Sequence, residues 1–379
     1  MARSMNISHA DSMLRPLTEA QAGAWYAQML SPQTSLYNVA GYIDIAGPIQ
    51  AAQFEQALRQ VVAEAQCHRI RLVETESGPQ QAIGPEPKCD LVVVDLSASP
   101  EPQAAAELWL RGDVNRPFDL IQGPLFRYAL LRLAADRHLW YRCYHHLCID
   151  GFGGALVSHR LAAVYTALVS GAPLPESPLA GYASLLDEEW AYRHSSRHER
   201  DRAYWLEQLS ARPEAVNLSG HPPSRPESIL STHRVLPSTV GQALLALAQV
   251  HGTSLGQVLT AAFALYQWRL SGVGDLIVGV TVTARSGSRM RRIPGMVSNV
   301  APLRLTLEPS MRWGELLKQL SRGMRGVHRH QRYNGEALRR DLGLRPDEPG
   351  LFGTVIKHMS FDDDLTFSGH ATGLRNLGN

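Results

Sequence analysis

Two adjacent histidines at the junction between a buried strand and a long apolar helix constrain this chain more than any other feature. Leu139 to Tyr144 alternates as a strand covered on both faces, and Gly151-Phe152-Gly153-Gly154 opens a helical pattern running to about Ser170. The linking turn is His145-His146-Leu147-Cys148-Ile149-Asp150. Side chains alternate along a strand, so His145 and His146 point to opposite faces, and one imidazole can meet a cavity while the other braces it. Asp150 falls at the helix start, where the dipole favours a carboxylate and an arginine can be held. Gly151 leaves backbone space that a reacting group can occupy. The pattern predicts an active-site turn.

Other chemistries fit the same residues less well. A histidine near an apolar strand is often a satisfied core residue, but a doublet followed by Asp150-Gly151 goes beyond that need. Cys143, His145, His146 and Cys148 lie close enough to suggest zinc, yet Cys67 and Cys89 supply no second ligand pair at the usual spacing, and no metal is expected. Cys148 lies in the apolar run Leu147-Cys148-Ile149, which predicts a buried, inert thiol rather than a nucleophile.

His145 to Gly151 reads H-H-x-x-x-D-G and resembles the signature of condensation domains of nonribosomal peptide synthetases, which are similar in fold to chloramphenicol acetyltransferase. Further segments resemble the family's recurring motifs in order: Leu17 to Trp25, His68 to Leu72, Tyr182 to Trp190 with Asp187, Gly295 to Arg304, His328 to Tyr333, and Arg340-Asp341 through Gly353. The likeness covers about Leu17 to Phe361 and is nearest to domains that open siderophore synthetases of the enterobactin and bacillibactin type. It implies an α/β fold with two chloramphenicol-acetyltransferase-like lobes in a V and a tunnel between them. The expected division is residues 1–175 for the first lobe and 176–379 for the second, which by comparison with the family is expected to lack its last elements.

Bulk properties agree with a large folded unit. The chain has 379 residues, 44% hydrophobic and 19% charged, with a net charge of +2. That length is ample for a sizeable core, and the charge gives no support for nucleic-acid binding. Four cysteines without a C-x-x-C pair suggest a reducing compartment. Met1 to Leu14 has no apolar core of the signal-peptide kind, and no run reaches membrane-spanning length, so no membrane partner and a cytoplasmic location are expected.

Along the chain, Thr18 and Gln21 form a capping box for a helix from Glu19 to Leu30. A strand from Tyr37 to Ile45 and a helix from about Ala51 to Glu64 follow. His68 to Leu72 is predicted as a short strand; the resemblance implies that one of its arginines is held against Asp150, with Arg71 first choice and Arg69 second. A hairpin of Phe126 to Leu133 and Leu139 to Tyr144 delivers the histidines. Gly171 to Pro178 carries three prolines in eight residues and reads as a linker. After a helix from about His198 to Leu209 comes a polar loop, Asn217 to Pro226. Helices at Ser238 to Val250 and Ser254 to Leu270 and a strand at Leu276 to Val282 follow.

Arg285, Arg289, Arg291 and Arg292 form a basic loop, read either as a solvated face or as an attraction for an acidic carrier domain or a phosphate. Asn299 matches a tunnel-lining asparagine of the family; its amide could orient a thioester carbonyl or satisfy backbone groups. Trp313 to Val327 reads as a helix, His328 and His330 as surface residues, Thr354 to Phe361 as a strand, and the remainder as a polar tail.

The resemblance implies attack of an acceptor amine on a donor acyl thioester, both carried on phosphopantetheine arms of donor and acceptor carrier proteins (peptidyl or aryl), with an adenylation domain in the full assembly line. No permanently bound cofactor is implied. His146 is the expected catalytic residue, with His145, Asp150, Gly151, Arg71 and Asn299 in support. Competing readings are an acyltransferase using acyl-CoA, an epimerisation domain, and a silent remnant that binds carrier proteins. Cyclisation is disfavoured, since that variant replaces the histidines by aspartate.

Overall fold

The computed structural model describes residues 14–218, 232, 234–345, 350–359 and 365–378. After the short strand β1 (Arg15–Pro16), Thr18 caps α1 (Glu19–Leu30): its hydroxyl accepts from Gln21 N, and the Gln21 side chain accepts from Thr18 N. Then come β2 (Asn38–Ile45), α2 (Ala51–Glu64), β3 (Ile70–Thr75), β4 (Gly78–Ile83), β5 (Val92–Asp95) and α3 (Pro102–Val114). The predicted hairpin is present as β6 (Phe126–Ala134) and β7 (Arg137–His145), followed by α4 (Gly151–Ser170).

β7 is the centre of this half. It pairs antiparallel with β2 on one side and β6 on the other, within a six-stranded sheet that runs from β11 (Thr366–Phe367) and β12 (His370–Gly378) through β2, β7 and β6 to β5. From His138 onward its residues are buried, and Leu139, Trp140, Tyr141, Cys143 and Tyr144 supply apolar or aromatic surface to both faces, with Arg142 among them. On one face Trp140 meets Phe54 of α2, at 5.8 Å between ring centroids. On the other Tyr141 meets Trp109 of α3 at 5.4 Å. Arg160 of α4 grips Glu64 of α2 with two nitrogens, at 2.7 and 2.8 Å, and donates to Pro175 O at 2.8 Å, tying the proline-rich linker down. α4 is long and apolar enough to cross a membrane, contrary to the sequence expectation, but 61% of its apolar window is buried against the rest of the protein, as befits a core helix.

The second half begins with α5 (Ala183–Arg193) and α6 (Ser196–Gln208), then α7 (Ser238–Val250), α8 (Leu255–Ser271), β8 (Asp275–Val282), the one-turn α9 (Gly287–Met290), β9 (Asn299–Thr306), α10 (Trp313–Arg329) and α11 (Gly335–Asp341). β8 lies between β9 and the short β10 (Val355–Ile356), parallel to the latter, and this sheet anchors a separate hydrophobic core. The loop expected at Asn217 to Pro226 lies largely outside the described residues.

The boundary drawn at residue 176 needs correction at the C-terminal end. β11 (Thr366–Phe367) and β12 (His370–Gly378) return to the first sheet, where β12 pairs antiparallel with β2, Thr372 opposite Ile45 and Leu374 opposite Ile43. Without them β2 would present a row of unpaired backbone groups. Phe367 is fully buried among Phe54, Trp140 and Tyr165, each 5.8–5.9 Å away by ring centroid. The expected strand at Thr354 to Phe361 is confined to Val355–Ile356 among the described residues.

Candidate active site

His145 is the brace. Its side chain is 1% exposed and lies between Tyr37 and Phe118. Leu147 N donates to its Nδ1 at 3.2 Å, so the ring proton belongs on Nε2, which faces Gln28 Oε1 at 3.3 Å. Gln28 is held the right way round because its amide nitrogen donates to the carbonyls of Ser31, Pro32 and Thr34. Burial, with some help from neighbouring His146, pushes His145 down to about 3. It is neutral at physiological pH and has no free nitrogen for chemistry.

His146 points the other way, into a cavity of about 500 Å³. The walls come from both halves of the molecule: Gly151 and Phe152 of α4, Thr281 to Thr283 at the end of β8, Met296 and Ser298 before β9, and His328 at the end of α10. His146 Nδ1 is buried and meets no well-formed hydrogen bond, although the Ile149 backbone is near enough to favour the imidazolium, so Nε2 is the nitrogen left for a ligand. Burial lowers the His146 pKa most; the Asp150 carboxylate opposes the shift and Lys357 adds to it. The imidazole is therefore a proton acceptor at neutral pH.

Asp150 fixes this turn from beneath. It caps α4, with Oδ1 accepting from Gly153 N at 2.8 Å. Its other partners come from the second half: Val297 N and Ser298 N donate to Oδ2 at 3.0 and 2.8 Å, and Arg285 grips both oxygens at 2.7 and 3.0 Å. Burial pushes the Asp150 carboxyl up, but Arg285 and the backbone donors outweigh it and hold the group below the usual carboxylate range. The arginine expected from His68 to Leu72 is thus not the partner. Arg71, on β3 of the small sheet β1-β4-β3, donates to Gln122 O at 2.7 Å, and Arg69, in the 3₁₀ turn Gln66–Arg69 that replaces the start of the expected strand, donates to Gly84 O at 2.9 Å. The sequence contained Arg285, but only as one of four arginines in a loop. That loop divides: Arg285 is buried, Arg289 donates to Ser184, Arg292 to Pro178 O, and Arg291 lines the cavity.

Further expectations resolve in the same way. Asn299 reaches the cavity wall, but its amide serves the backbone, donating to Gln331 O and Tyr333 O and accepting from Val300 N and Gly335 N. That use leaves it no group to orient a carbonyl. The space over Gly151 is filled by Met359, whose methyl carbon would lie 3.0 Å from a Cβ there; Lys357 and Met359 were not singled out in the sequence. His330 is not a surface residue: it bonds Asp201 at 2.7 Å and stacks on Tyr204. The thiols are occupied elsewhere. Cys148 donates to His145 O and Leu125 O, burial pushes it well above the usual thiol range, and Cys143 is pushed up to about 11.

A neutral histidine at the inner edge of a two-sided cavity, on a turn clamped by a carboxylate and an arginine from opposite halves, defines an acyltransferase-type site. The Condensation domain family model matches residues 13–372, and the chain belongs to that family of amide-forming enzymes. The dimodular nonribosomal peptide synthase of Bacillus subtilis (strain 168) is 40% identical over 95% of this chain and 15% of its own length. Enterobactin synthase component F of Escherichia coli (strain K12) is 30% identical over 92% of this chain and 27% of its own. The chain therefore spans about a quarter or less of these two curated relatives. Among solved structures, the starter condensation domain of rhizomide synthetase, an arginine-to-alanine mutant in complex with C8-CoA, superposes with a TM-score of 0.91 at 40% identity, over 97% of this chain and 83% of that one. The first condensation domain of the CDA synthetase gives 0.90 at 33% identity, over 96% and 85%. The fold is that of these condensation domains.

Proposed function

We propose that this chain joins a carrier-bound acyl or aryl thioester to the amine of a carrier-bound aminoacyl thioester in siderophore assembly. The observation that carries the reading is His146, neutral at working pH, with one ring nitrogen left for a ligand in a cavity bounded by both halves. Cavity walls from two halves suit two substrates arriving from different directions. The relationship to enterobactin synthase component F supports the siderophore assignment.

In the proposed reaction the acceptor nitrogen attacks the donor carbonyl carbon, a C–N bond forms and the C–S bond breaks. The amine proton passes to His146 Nε2 and from there to the departing thiolate. An α-amine titrates near about 7.7–8.0 and an imidazole near about 6.5, so the amine is already a competent nucleophile at neutral pH. His146 consequently acts as much by positioning as by proton transfer. His145 and Asp150 do no chemistry; they set the angle at which His146 enters the cavity.

A coenzyme A thioester is the second reading of the donor, favoured by the C8-CoA complex of the rhizomide domain. Both donors present a pantetheine thioester, so one single-turnover assay separates them. Purified chain receives a seryl-loaded carrier with an aryl-loaded carrier, an acyl-loaded carrier or an acyl-CoA, and intact-protein mass spectrometry follows the acceptor. A mass gain from a loaded carrier donor is the expected result. Gain only from the CoA ester refutes the carrier assignment, and none from any donor refutes the reading.

A further inference from the structure

A second, narrower cavity of about 40 Å³ lies between the first sheet and α4. Its floor is a cross-strand patch in which Asn376 of β12, Gly41 of β2 and Arg142 of β7 stand in register. Val39, Tyr144 and Leu374 complete that floor, and Gly151 and Gly154 of α4 form the roof. Gly154 helps to keep the slot open, since the nearest atom to a Cβ there would be Tyr144 Cε2 at 4.0 Å. Gly151, Lys357 and Met359 line both this slot and the His146 cavity, so the two are neighbours across α4's first residue.

Arg142 is the unexplained residue of the slot. It is 8% exposed, inside the sheet, where a charge is expected to be paired. Its partners are neutral: Nη1 donates to Gly154 O and to the Ser158 hydroxyl, and the guanidinium carbon lies 5.4 Å from the centroid of the Trp140 ring. Nε and Nη2 have no acceptor among the described residues, which leaves three N–H donors. The nearest acidic wall residue, Asp150, is already gripped by Arg285 and three backbone donors. Tyr144 accepts from Tyr128 at 3.0 Å. A second cation, Lys357, lines the same slot. A guanidinium whose own partners are neutral, lining an open space with a further cation and with the one acidic wall residue already engaged, is complementary to a carboxylate.

From these facts we infer that Arg142 is a specificity-determining residue that selects donor acyl groups ending in a carboxylate. The inference rests on the acyl-transfer reading above and names the class of donor: a half-thioester of a dicarboxylic acid, its thioester beside His146 and its free carboxylate on Arg142. His146 follows Arg142 by four residue steps, the last of them just past the end of β7, which puts about 13 Å between their Cα atoms and sets the scale of the acyl group.

The test measures binding, so it is independent of turnover. Calorimetric titrations of the His146→Ala chain use length-matched pantetheine thioesters: succinyl against butyryl, and adipoyl against hexanoyl. The expected result is a preference of tenfold or more for the diacid in at least one pair, falling to within twofold in an added Arg142→Gln substitution and partly restored by Arg142→Lys. Equal affinities within both pairs, binding of neither ester, or a preference that survives Arg142→Gln overturns the inference. The first comparison needs no Arg142 variant, so a folding defect there does not protect the idea. Diacid preference with no acyl transfer by the intact chain would sink the condensation reading while leaving Arg142's role standing. Transfer with no preference would do the reverse.

Discussion

Removing Arg285 should expose how strongly the two halves are tied through Asp150. In Arg285→Met the Asp150 side chain, 1% exposed, keeps only the backbone donors of Gly153, Val297 and Ser298 and loses both guanidinium bonds. Leaving one member of a buried ion pair without its partner typically costs about 3–5 kcal/mol. We take about 4 kcal/mol, since three N–H groups remain on the carboxylate. For 379 residues melting together, an unfolding entropy of about 2.1 cal/mol/K per residue converts this to a fall in Tm of about 5 °C. The assay is calorimetric or denaturant unfolding of Arg285→Met, Asp150→Asn and the double variant. Because the double variant removes both charges, it should be less destabilised than the sum of the singles by about 2–3 kcal/mol. Arg71→Ala, whose side chain gives one hydrogen bond to Gln122 O, should cost about 1 kcal/mol or less. Single effects below about 1 kcal/mol, or strict additivity, would refute the assignment of Arg285 as the partner.

Three other outcomes follow from packing and burial. His68 and His145, pushed down to about 4 and about 3 by burial, stay neutral in the folded state where the unfolded chain takes up protons. Each should therefore remove about 2 kcal/mol of stability between pH 7.5 and 5, so urea denaturation should show stability falling with pH; a flat or rising profile contradicts it. Gly153→Ala would place a Cβ 2.7 Å from Ile149 Cγ1 and 2.9 Å from Gly295 N, and should cost about 1–3 kcal/mol by thermal melting; a neutral result would mean the halves are not in close contact there. Native protein treated with iodoacetamide at pH 7 should gain no mass, since all four cysteines are buried with thiols pushed upward; alkylation without denaturant contradicts that burial.

How much of this could be read beforehand depended on the range of each interaction. The Thr18–Gln21 box, the β6–β7 hairpin and the strand, turn and helix around His145 and His146 are local, and local alternation announces them. Asp150's partner lies 135 residues away, among arginines that sequence alone cannot rank. The placement of β3 in a small separate sheet with β4 decided against Arg71, and that is a property of the fold. β12 was equally hidden, because His370 to Gly378 carries no apolar alternation and its pairing comes from the open edge of β2. The direction of an amide is also invisible in sequence. For Asn299 the residue type admits both a carbonyl-orienting and a backbone-satisfying role, and the structure selects the second, giving its oxygen and nitrogen to four backbone groups.

The most direct measurement of the central claim is the single-turnover rate of amide formation in the native chain and in His146→Ala across pH 5 to 9. The native rate should exceed that of the variant by about 100-fold or more. Its acid limb should lie below the ordinary histidine value of about 6.5, since burial holds His146 neutral, and the limb should vanish in His146→Ala. Equal rates, or an acid limb unchanged by the substitution, would contradict the assignment of this histidine to the chemistry.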